Sequence, residues 1–156
     1  MNTNTPIIRI LGLRLGIYLA AVGLTYVLAT VSATQHVVAQ LGSMGVDVGL
    51  AERLAMTLSD LAGMAGMFLP LIAFALLAAF LVAALIVYWW GRWRIALYVI
   101  AGATAIVTLH LTLHLAFSLT PVAIARSVPG LFVQALAGAA GGYLYVRLRG
   151  HTAVKN

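Results

Sequence analysis

The chain has 156 residues, 63% of them hydrophobic and 8% charged, with a mean hydropathy of +1.08. That composition lies outside the range of soluble domains, and the length leaves room for one bundle and no separate soluble domain. The absence of cysteine excludes disulfides, thiolate metal sites and a quinone-coupled thiol oxidase. The net charge of +6 is no nucleic-acid signature, because the basic residues flank apolar stretches, where topology and anionic headgroups account for them.

No Asp, Glu, Lys or Arg occurs in residues 15–46, 61–91, 95–125 or 127–146. A helix rises about 1.5 Å per residue, so about 20 apolar residues cross a hydrocarbon core roughly 30 Å thick. Each window is long enough for one crossing. The sequence therefore predicts an all-α integral membrane protein, a four-transmembrane-helix bundle filling residues 1–156, with spans over about 11–33, 68–90, 95–119 and 131–148.

Span 1 follows Arg9 and Arg14 and opens on Gly12 and Gly16. These arginines, the apolar run and Val31-Ser32-Ala33 also resemble a secretory signal with a small-residue cleavage site. The run is longer than a signal core, so a retained span is expected. The next connection, residues 34–67, is long, moderately polar and free of proline. Long loops are uncommon unless they carry structure or function. Leu50, Leu54, Thr57, Leu58 and Leu61 recur at helical spacing, with Glu52, Arg53, Ser59 and Asp60 largely on the other side. The expectation is an amphipathic helix in this outer loop, over about 47–60, capped by Asp47 and lying in the interface or over the bundle mouth.

Span 2 carries the small-residue stripe Ala75, Ala79 and Ala83, and the turn at Gly91-Arg92 makes it a hairpin with span 3. A short loop with Pro121 and Pro129 leads to span 4. Gly138 and Gly142 form a GxxxG step there, and Gly102 adds a close-approach point in span 3. In lipid, small residues and a few interhelical hydrogen bonds replace the hydrophobic effect between helices. Such a face also serves self-association, so a homo-oligomer joins the lipid bilayer among the expected partners.

Orientation follows from the basic residues. Arg9, Arg14, Arg92, Arg94, Arg147, Arg149 and Lys155 fall on one side, against Arg53 and Arg126 on the other. This places both termini in the cytoplasm of a multi-pass protein of the bacterial inner membrane. Tyr88, Trp89, Trp90, Trp93 and Tyr98, with Tyr143 and Tyr145, read as an aromatic belt at the cytoplasmic boundary.

Candidate chemistry is confined to the outer half. His110 and His114 lie four residues apart on span 3, and His36 lies just past span 1 at comparable depth. Met44, Met56, Met64 and Met67 cluster in or beside the first outer connection, together with Asp60 and Glu52. Imidazole and thioether suit a transition metal, with His110 and His114 as the first ligands. Haem is less favoured, since axial histidines must come from facing helices. The polar residues Gln35, Gln40, Thr108, Thr112, Gln134, Ser118 and Thr120 could line a small pocket open to the outer leaflet, with interhelical hydrogen bonding as their simpler role.

No phosphate-binding glycine loop, Ser-His-Asp set or paired-carboxylate site is present. The function expected is a ligand-binding, transport, channel or accessory module. The alternative is a metal- or haem-binding protein using the outer-half histidines. A third reading, an enzyme acting on a lipid or isoprenoid, would need a His with Asp60 or Glu52 as its acid–base pair.

Overall fold

The computed structural model describes residues 5–117 and 128–153, with side chains over 8–115 and 128–150. The described residues form four α-helices, α1 (Thr5–Ser43), α2 (Leu50–Trp89), α3 (Arg94–Phe117) and α4 (Val128–Ala153), with a 3-10 turn, Gly91–Trp93, between α2 and α3. All four are long and apolar enough to cross a membrane, and the described residues contain no strand. The expected connection with Pro121, Ser118, Thr120 and Arg126 lies outside the described residues, as does Lys155.

Each neighbouring pair runs antiparallel. Tyr18 reaches the Ala73 carbonyl and Tyr26 the Leu61 carbonyl, so α2 descends as α1 rises. Phe68 meets His110 and Phe80 meets Tyr98 between α2 and α3. Gln134 meets Ala29, and Gly141 meets Ala21 and Thr25, which closes α4 back onto α1. The most extensive contact is α3 with α4.

Glycine makes that contact possible. A Cβ on Gly102 would overlap the Gly138 carbonyl, and one on Gly138 would overlap the Gly102 carbonyl and meet Ile106 Cγ1 at 2.7 Å. One on Gly142 would overlap the Tyr98 carbonyl. At Gly102, Gly138 and Gly142 the two helices approach backbone to backbone. Ala75 and Ala79 are half-buried and sit one step aside, lining a groove of about 650 Å³ between α2 and α3.

The core faces of the helices follow the 3.6-residue period. On α2, Phe68, Ile72, Leu76, Phe80 and Ala83 point inward. Yet Phe74, Leu77, Leu81 and Leu85 point outward, with Phe74 75% exposed. A helix apolar on all sides suits a lipid surround rather than water.

The first connection departs from the sequence reading. Residues 34–67 are not a loop carrying its own short helix; α1 continues to Ser43, and residues 50–60 are the first turns of α2. Nothing in 34–41 breaks a helix, and the stop comes only at Gly42-Ser43-Met44-Gly45. There the Val46 N–H bonds the Leu41 carbonyl at 3.0 Å and the Gly45 N–H bonds the Gly42 carbonyl at 3.1 Å. This is a Schellman cap, and its left-handed residue is Gly45 at φ 83°. The expected cap at Asp47 is replaced by Gly49, whose N–H donates to Glu52 Oε2 at 3.2 Å. The helices α1 and α2, 39 and 40 residues against 24 and 26 for α3 and α4, thus extend the bundle at this end as a two-helix projection. Pro70 lies within α2 and gives up the hydrogen bond to the Gly66 carbonyl.

The aromatic belt is also revised. Trp89, Trp90 and Trp93 are exposed at the helix ends, but Tyr98 is 1% exposed and belongs to the core. Phe80 stacks on Tyr145 at 4.6 Å between ring centroids, Tyr98 packs against both rings, and Arg149 Nη1 donates to the Tyr98 hydroxyl at 3.0 Å. Tyr98 shares the core face of α3 with Gly102, Ala105 and Ile106, one and two turns on, and so points to the bundle axis instead of the surface.

Candidate functional site

The buried polar side chains are Thr25, Thr30, Thr34, His110 and Gln134 among the described residues, and all but Thr25 lie in the half of the bundle next to the α1–α2 connection. Thr25 is self-contained, its hydroxyl bonding the Ala21 carbonyl one turn back. The others are not.

Gln134 is fully buried on α4. Its Nε2 donates to the Ala29 carbonyl at 3.0 Å and approaches Ser32 Oγ at 3.3 Å, both on α1. A carbonyl acceptor fixes which end of the amide is nitrogen, so Oε1 must face away from α1. His110 on α3 faces this amide and packs its ring against Phe68 of α2, with ring centroids 5.8 Å apart. Nevertheless neither His110 Nε2 nor Gln134 Oε1 closes a hydrogen bond of good geometry. Thr30 Oγ1 on α1 is likewise buried without a partner. Three such polar atoms, from three helices, thus lie in the half of the bundle next to the α1–α2 connection.

Closer to the α1–α2 connection, Thr34 Oγ1 lies 2.7 Å from Asp60 Oδ2 and 3.1 Å from the Thr30 carbonyl. The hydroxyl has one proton, and the carboxylate is the stronger acceptor, so it donates to Asp60. Thr30 and Thr34 stack one turn apart on the same face of α1. Together they form a polar seam running from the Asp60 carboxylate into the bundle.

The other sequence-predicted residues are distributed around this seam rather than gathered in it. His114 is exposed, although His110 one turn before it is buried, so α3 does not present the two imidazoles as a ligand pair. A four-residue step leaves the two about 40° apart around the helix, enough to turn His114 out of the four-helix contact. His36 Nε2 accepts from Gln40 Nε2 on its own helix at 3.2 Å. Met67 is 62% exposed, while Met64 is half-buried against the core. Gln35 donates to Thr57 Oγ1 at 3.3 Å on the surface of the projection. Thr108 and Thr112 line the apolar α2–α3 groove, away from His110. No group of three or more His, Asp or Glu side chains is placed to hold a metal among the described residues.

Sequence reasoning thus reached His110, Gln134 and Asp60 but passed over Thr30, Thr34 and Ser32. Their signal was available as a Thr-x-x-x-Thr step inside a charge-free window, one helical turn long. Compared with known families, with characterised proteins and with solved structures, the chain finds no match.

Proposed function

We propose that this chain is a small multi-pass membrane protein, both termini cytoplasmic, which binds a small, neutral, hydrogen-bonding solute between its helices and serves as a binding or passage module for it. The observation that carries this reading is a set of three buried polar atoms that close no hydrogen bond of good geometry: Thr30 Oγ1, and His110 Nε2 and Gln134 Oε1, whose side chains face each other. A buried polar group without a partner costs roughly 1–3 kcal/mol, and lipid supplies no water in compensation. The set offers a hydroxyl, an imidazole nitrogen and an amide carbonyl, which donate and accept without a fixed charge. The seam through Thr34 to Asp60 gives such a guest a polar approach from the outer side.

Support for the orientation comes from charge. Arg9, Arg14, Arg92, Arg94, Arg147 and Arg149 lie at the end of the bundle holding the termini, while Asp47, Glu52 and Asp60 lie at the other.

The test is solute flux. Full-length protein in liposomes, challenged with urea or glycerol gradients and followed by stopped-flow light scattering, is expected to equilibrate faster than protein-free vesicles. His110→Phe and Gln134→Leu are expected to return the rate to the vesicle background. Rates equal to empty vesicles for the unmodified protein would remove the passage reading.

A second reading keeps His110 as a lone imidazole ligand to a metal or haem, favoured by its open Nε2. Metal content and the visible spectrum of the purified protein decide it: bound metal or a haem band that vanishes in a His110→Ala/His114→Ala variant would put this reading first.

A further inference from the structure

At the end of the bundle that holds the termini, the α2–α3 turn and the last turns of α4 enclose an open cleft of about 780 Å³. Arg92, Arg94 and Arg147 line it beside Trp93, together with the apolar side chains Ile95, Val99 and Val146, of which Val146 is buried and Ile95 about half exposed. Arg147 is held in place by its Nε, which donates to the Tyr143 hydroxyl at 2.8 Å, and its guanidinium lies over the same ring. The N-terminal end of α3, the positive end of its dipole, opens on the same cleft. No side-chain carboxylate of the chain is near. Asp47, Glu52 and Asp60 are its only acidic side chains, and all three belong to the opposite end.

Three guanidiniums gathered on one cleft, with no acidic side chain among the described residues beside them, suit an anion from outside the chain, and arginine's planar fork suits phosphate oxygens. The apolar part of the lining selects which anion. A free phosphate would leave Ile95, Val99 and Val146 uncovered, whereas a lipid sets its headgroup on the arginines and an acyl chain along these side chains. Trp93, 63% exposed, is suited to the glycerol level between the two. We propose that this cleft is a binding site for an anionic glycerophospholipid, with Arg92, Arg94 and Arg147 holding the phosphate.

The test uses the full chain in nanodiscs, with Trp89→Phe and Trp90→Phe so that Trp93 alone reports. Brominated phosphatidylglycerol is expected to quench Trp93 more than brominated phosphatidylcholine at equal mole fraction. Each arginine contributes roughly fivefold to the preference. Arg92→Gln/Arg94→Gln/Arg147→Gln is expected to abolish the preference, and Arg9→Gln/Arg14→Gln, at the same end but outside the cleft, to retain it. Equal quenching by both lipids would overturn the proposal. So would an equal loss in the two variant sets, which would mean diffuse charge attraction and no site. Loss of the preference in excess inorganic phosphate, against sodium chloride of matched ionic strength, would mark a free-anion site and overturn the lipid assignment.

Discussion

Gln134 holds the polar interior in register because its amide is anchored at one end only. The Ala29 carbonyl and Ser32 take the nitrogen, which leaves the oxygen to face His110 across the α3–α4 contact. If these groups served stability alone, an apolar pair of similar size would weaken the fold. If they serve a guest, removing both unsatisfied atoms is close to neutral for the empty protein or raises its stability. His110→Phe with Gln134→Leu also gives up the Nε2 bond to the Ala29 carbonyl, about 1 kcal/mol, which the removal of the two unsatisfied atoms offsets. A net loss of unfolding free energy in detergent of no more than about 1 kcal/mol is therefore expected together with loss of solute flux, with SDS titration and stopped-flow scattering as the readouts. Thr34→Val removes the donor to Asp60 and is expected to cost about 1 kcal/mol in the same titration. The histidine and glutamine of this site were legible in the sequence because each interrupts a long apolar window. Thr30 and Thr34 were not, because a threonine inside a helix can satisfy itself as Thr25 does, and only the neighbouring helices decide otherwise.

At the level of helices, contact between α3 and α4 depends on the absence of side chains at Gly102, Gly138 and Gly142. Gly138→Val would push the Gly102 carbonyl and Ile106 away, and a loss of about 1–3 kcal/mol is expected, read as an earlier SDS or thermal midpoint. Gly45→Ala tests a different property. That position has open space around it but a φ of 83°, so about 1 kcal/mol of backbone strain is expected with no loss of packing. The four helices and their small-residue contacts could be read from the chain because charge exclusion and GxxxG spacing are local signals. Where α1 ends could not be placed at residue 33, because apolarity measures how deep a segment sits in lipid and helicity continues past it. The polar residues of 34–43 read as loop and those of 47–60 as a separate amphipathic helix, yet they bond one another, Thr34 to Asp60 and Gln35 to Thr57, and so support two continuous helices. The belt reading of Tyr98 fails for a related reason: an aromatic residue near a helix end is equally suited to a headgroup belt or to a core, and its packing against Phe80 and Tyr145 decides for the core.

For the molecule as a whole, charge and polarity are segregated along the bundle axis. Arginines gather where the termini are, acids gather on the projection, and the polar interior lies between the projection and the apolar middle. Because the chain has no cysteine, single cysteines report position without a background. Met44→Cys is expected to react with a membrane-impermeant maleimide in intact cells, and Arg92→Cys only after permeabilisation. The most direct test of a guest-accepting interior applies the same chemistry inside the bundle. Thr30→Cys, fully buried, is compared with Leu81→Cys, 64% exposed on the apolar outer face of α2, using a small methanethiosulfonate reagent from the outer side. A water-reachable polar seam predicts that Thr30→Cys reacts readily, because thiolate forms only where water penetrates, while Leu81→Cys in lipid stays inert. A Thr30→Cys protein as unreactive as Leu81→Cys would mean a dry, sealed interior and would contradict the account.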